Sequence, residues 1–126
     1  MPIEARLVID RVISDRVIGL NMNLIDPKHY SPSASFNYWF HGPKETNLFL
    51  WEFDGGHIER VQFDLSSMVL VYENESFLYE TKSENVAVPP LLPQQVLHKA
   101  LSILGQMQTN LSSLSEFRGL LEKQLG

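Results

Sequence analysis

The rhythm of apolar and polar positions changes twice along this chain. Between residues 35 and 82 it runs in short β-prone stretches, SFNYWFH, TNLFLWEF, HIERVQFDL, MVLVYE and SFLYETK, separated by HGPKE, DGG, SS and NE. Runs of this length, rich in β-branched and aromatic residues and divided by brief turn signals, predict an antiparallel meander. Every aromatic residue except Tyr30 and Phe117 falls between Phe36 and Tyr79. The sheet therefore carries most of the large side chains.

Ahead of it, ARLVIDRVISDRVIGLNMNLID (5–26) is β-branched and contains the echo DRVIS, DRVIG. We read two strands here, with Ser14 and Asp15 as turn residues and Leu20, Met22 and Leu24 alternating with Asn21 and Asn23. A helix over the first half is the alternative. DPKHYSPSA (26–34), with two prolines, is a loop.

After the sheet, VAVPPLLP (86–93) is a proline-rich linker, and Pro93 suits the first turn of a helix. Leu97, Ala100, Leu104, Met107, Leu111, Leu114, Arg118, Leu121 and Leu125 then follow steps of three and four, which place them on one helical stripe. TNLSSLSEF interrupts it with weak helix formers and a candidate capping box, Ser113 with Glu116. The C-terminal region is one long amphipathic helix, or two in phase broken near Asn110.

The register of the central hairpin follows from parity, because one buried face demands that large residues share a side. Phe49, Trp51 and Phe53 are odd, and so are Val61, Phe63 and Leu65. A two-residue Gly-Gly loop would split these sets and set Glu52 against Glu59. A three-residue loop, Asp54 to Gly56, with a type I turn and a left-handed glycine, unites them. This register lets Glu52 meet Arg60 diagonally.

The expected fold is therefore α+β, a single domain over 1–126. Residues 5–85 are mainly β, a meander of about five to seven strands in a strongly curved sheet or partial barrel, and 94–125 are helical. Several strands are apolar on both sides: Tyr38 and Phe40 against Trp39, Leu48 and Leu50 against Phe49 and Trp51, Val69 and Val71 against Met68 and Leu70. One terminal helix covers one face, so the other must be closed by curvature, by the N-terminal strands or by a second chain. A homodimer is the preferred closure. The stretch 100–115 has no charged side chain, which suits a helix covered on its outer side as well. The expected interaction surface is Leu48, Leu50, Leu70, Tyr72, Leu101, Ile103, Gln108 and Phe117.

Composition narrows the classes. At 126 residues, with 44% hydrophobic and 20% charged residues, the chain has the build of a globular domain. A net charge of −5 argues against nucleic-acid binding, which requires cations at phosphates. No apolar run is long enough to cross a bilayer, and the first residues carry charges where a secretory signal would be apolar. The expectation is cytoplasmic and off the membrane. Without cysteine there are no disulfides and no thiolate chemistry.

Candidate chemistry is sparse. His29, His41, His57 and His98 lack metal-ligand spacing, no serine sits in a nucleophile elbow, and the glycine pair lies in a hairpin rather than a phosphate loop. No metal and no cofactor are expected. Glu73, Glu75, Glu80 and Glu84, facing a single Lys82, form an acidic hairpin tip or, in the sharper reading, a docking patch for a basic partner. Trp39, Trp51 and Met107 would line an apolar-ligand pocket if the helix packs over them. Glu52, Asp54 and His57 would serve an enzyme if they converged in a cleft. The leading expectation is a non-catalytic protein–protein interaction module, such as an assembly factor, adaptor, chaperone or inhibitor, acting as a homo-oligomer. The alternative is a carrier or sensor of small apolar ligands, and a hydrolase-type enzyme comes third.

Overall fold

A computed structural model describes residues 15–65, 68–81 and 92–126. Within these, a six-stranded antiparallel sheet runs in chain order: β1 (Asn23–Leu24), β2 (Tyr38–Gly42), β3 (Thr46–Phe53), β4 (His57–Leu65), β5 (Met68–Glu73) and β6 (Ser76–Thr81). It is flanked by α1, helical over residues 15–20, by α2 (Pro93–Gln106) and by α3 (Ser112–Leu125). The fold is the expected α+β meander with C-terminal helices, and its sheet does not close into a barrel.

The tight connections explain the meander. Lys44 and Glu45, then Asn74 and Glu75, take positive φ, the conformation that lets a short turn follow the right-handed twist of its strands. Asp54, Gly55 and Gly56 form the expected three-residue loop between Phe53 and His57, but all three have positive φ (43°, 78° and 106°), so a type I turn is not what forms.

The expected parity of this hairpin is also overturned. Trp51 pairs with Arg60 and Glu52 with Ile58, which leaves Glu59 as an unpaired bulge residue on β4. Beyond the bulge Leu50 faces Val61 and Leu48 faces Phe63, while Phe49 and Trp51 face Gln62 and Arg60 on the opposite side. One extra residue moved two aromatic side chains across the sheet. Arg60 accordingly pairs with Glu73 rather than Glu52.

The inner face carries the core. Phe40, Leu48, Leu50, Val61, Phe63, Leu65, Met68 and Leu70 lie beneath Val96, Leu97, Ala100, Ile103 and Leu104 of α2, Leu114, Phe117 and Leu121 of α3, and Ile18 of α1. The strand expected over residues 16–20 is thus a helix, where packing overrides β-branched propensity. Ile18 is buried in the core, and Gly19 lies so close to α2 that a Cβ there would sit 2.5 Å from the Ile103 carbonyl oxygen. Asp15 accepts from Lys99 Nζ at 2.5 Å, tying α1 to α2. Only Asn23 and Leu24 remain as strand, and both are exposed. The strand expected before residue 15, Ser14 and the linker up to residue 91 fall outside the described residues.

Pro93 opens α2 as its position predicts, and Gln95 Oε1 accepts from the Leu92 N–H at 2.8 Å. The C-terminal region is two helices, with Asn110 in the connection. Their stripes do not share one phase: Phe117, rather than Arg118, is buried on α3. The capping box also fails, since Leu111 is the N-cap and the Glu116 carboxylate reaches instead to β4, accepting from the Ile58 N–H at 3.2 Å.

Candidate functional site

The residues displaced by the bulge assemble on the outer face. Trp39 and Phe49, register partners on β2 and β3, stack with centroids 5.9 Å apart and planes 18° from parallel. Phe36 lies against them, 5.0 Å from Phe49 and perpendicular to Trp51 at 6.0 Å. Tyr30 meets Phe36 edge-on at 4.8 Å. The guanidinium of Arg60 sits 4.8 Å over the Trp51 ring, a cation–π contact, with its Nε 3.5 Å from the Glu73 carboxylate.

A strap made of residues 25–37 holds this cluster. Its backbone is pinned at both ends, by the Ile25 N–H to the Trp39 carbonyl and the Asn37 N–H to the Leu50 carbonyl, each at 2.8 Å. Midway, the Tyr30 hydroxyl donates to the Ile25 carbonyl and accepts from the Trp39 N–H, both at 3.1 Å. The indole N–H groups are satisfied as well, Trp39 by Asn47 Oδ1 at 2.9 Å and Trp51 by Ser35 Oγ at 3.0 Å. His41 Nδ1 lies 2.7 Å from the same Asn47 oxygen. Trp39, Phe49 and Trp51 each remain half-buried, so what they offer outward is ring surface with no unmet polar demand. Such a face can make apolar and stacking contacts.

The residues expected to mark an interaction surface are placed differently. Leu48, Leu50, Leu70, Ile103 and Phe117 are fully buried in the core of the single chain. Tyr72 and Leu101 are half-buried against that core, and only Gln108 is exposed. The expected ligand pocket does not form: Trp39 and Trp51 occupy the outer face while Met107 packs on the inner side. The cavity beside Met107, between α2 and α3, is small, about 90 Å³.

The carboxylates of the central hairpin are separated from His57. Glu52 and Asp54 line an open groove of about 480 Å³ with Asn37, Tyr38, Phe53 and Ser112. His57 turns away from it, its Nδ1 3.7 Å from Glu116, and Glu59 occupies the bulge, exposed. In the acidic patch, Glu73 is engaged by Arg60, Glu75 and Glu80 are exposed, and Glu84 is outside the described residues. Burial, with the nearby charges of Glu75 and Glu116, raises the Tyr72 phenol above its ordinary value of 10.0. Burial alone raises Tyr79. Among the described residues no three His, Asp or Glu side chains converge to hold a metal ion, and no helix is long and apolar enough to cross a membrane.

Sequence reasoning missed the outer cluster because parity assigned Phe49 and Trp51 to the core. No local signal announces the bulge, since the three-residue loop already sets Glu52 opposite Ile58 and clear of Glu59. No family model matches this chain, and neither a curated protein nor a solved structure matches it.

Proposed function

We propose that the protein is a non-catalytic protein–protein interaction module that acts as a homo-oligomer in the cytoplasm, with the outer face of the sheet as its contact surface. The observation that carries this reading is the half-buried platform of Trp39, Phe49 and Trp51 with Arg60 laid over it. Tryptophan, tyrosine and arginine dominate the energetics of protein interfaces, because they bury large areas at little entropic cost once their orientation is fixed. Here the orientation is fixed beforehand by the strap and by the indole hydrogen bonds. A carrier of small apolar ligands has less support, since the cavity between the helices would hold only a few atoms.

The chain provides its own probe, because its 2 tryptophans are both on this face. Emission maximum and light-scattering mass are measured together over a dilution series. The expected result is a blue shift that rises with concentration in step with mass. A single-chain mass with constant emission at all concentrations would remove the reading.

A further inference from the structure

We infer that β6 is a strand-addition site for an extended, basic segment of another protein. The inference rests on the reading of the protein as an interaction module, but not on its self-association.

β5 and β6 are joined by the two-residue turn Asn74-Glu75, with Glu73 opposite Ser76. Residues flanking a two-residue turn form a hydrogen-bonded pair, and such pairs alternate along an antiparallel ladder. Ser76, Leu78 and Glu80 therefore bond inward to β5, while Phe77, Tyr79 and Thr81 direct their N–H and C=O groups to the other side. No strand pairs with that side among the described residues. Among the described residues the opposite edge of the sheet is only two residues long, so β6 is the extended edge of the two. An edge of this length, without proline or lysine within it, is what an incoming chain can extend.

Charge selects the occupant. Over residues 73–81 the chain carries glutamates and no lysine or arginine. Glu73 is neutralised by Arg60, whereas Glu75 and Glu80 are exposed at the two ends of the strand. Between them Leu78, 52% exposed, offers an apolar contact on the outer side. Pairing with a second copy of β6 centred on Leu78 would set Glu80 opposite Ser76 and Glu75 opposite Thr81 of the other strand. In that register neither glutamate faces a cation. A strand alternating cationic and apolar residues puts both groups where this edge has their complements.

The test is fluorescence anisotropy with a labelled peptide of alternating lysine and valine, compared with its glutamate–valine counterpart and with a lysine–valine peptide N-methylated at alternate amides. The full-length protein is expected to bind only the unmodified lysine peptide, with affinity falling as salt rises. Glu75→Lys with Glu80→Lys is expected to weaken binding roughly tenfold, from two exposed charge contacts reversed. Thr81→Pro, which removes one edge N–H at an exposed position, is expected to weaken it as well. Equal binding of the methylated peptide would overturn strand addition, and equal binding of the glutamate peptide would overturn the charge argument. No binding of the lysine peptide would overturn the inference whatever the light-scattering mass, which is the quantity that decides self-association.

Discussion

On the inner face of the sheet, Leu48, Leu50, Val61, Phe63 and Leu70 are shut off from water by three helices, while on the outer face Trp39, Phe49 and Trp51 are only half covered by a strap of loop. The inner face is apolar along its whole width. The outer face alternates aromatic β2 and β3 with a polar β4 carrying Arg60, Gln62 and Asp64, then returns to Val69 and Val71 on β5. Side chains shielded on all sides stabilise the single chain. Those left half open stabilise it less and retain surface for another molecule.

This contrast can be broken most severely from the inside. Phe63→Ala leaves a cavity under α2 and α3 and should cost about 3–5 kcal/mol in chemical denaturation. A loss no larger than that of a surface substitution would mean that the helices do not seal this face. Next in size, Gly19→Ala forces a methyl group against the Ile103 backbone, which cannot yield as a flexible side chain would. A destabilisation of roughly 1–3 kcal/mol is expected, with α1 lifted from α2.

The outer face should respond more mildly. Tyr30→Phe removes the hydroxyl that bridges the Ile25 carbonyl and the Trp39 N–H. It should cost about 0.5–1.5 kcal/mol and red-shift tryptophan emission as the strap loosens. An unchanged spectrum would show that the strap does not hold the indoles. The smallest effect is expected for Glu73→Gln, which weakens a half-exposed ion pair worth at most about 1 kcal/mol and vanishing at high salt.

pH offers a finer comparison. Tyr72 and Tyr79 are held neutral in the folded chain above their ordinary value of 10.0, so the unfolded chain releases their protons first. Their contribution is complete below pH 10.0 and is lost as pH rises through the folded values. Thermal unfolding should show a decline above that pH which Tyr72→Phe and Tyr79→Phe flatten.

Local signals carried much of this fold. β3, β4 and β5 follow from their alternation and the turn residues between them, and Pro93 marks the start of α2. What stayed illegible depended on contacts distant in sequence. Residues 16–20 have β-branched composition, but the close approach of Gly19 to α2 makes them helical, and no local pattern announces that partner. The bulge at Glu59 was hidden because parity arguments assume an unbroken ladder, and one such residue decided which face received Trp51. The strap was recognisable as a loop from its prolines, yet its role over the aromatic cluster rests on hydrogen bonds that Ser35, Asn37 and Tyr30 accept from the Trp51 indole and from the Glu52 and Trp39 backbone N–H groups. Those residue types read simply as polar loop.

The central claim, that the outer face is the contact surface, is tested most directly by sedimentation of the wild-type protein beside Trp51→Ala, with thermal unfolding confirming that both are folded. Wild type is predicted to associate with rising concentration, and the variant to remain a single chain. Equal association of the two, or a wild type that stays a single chain throughout, would contradict it.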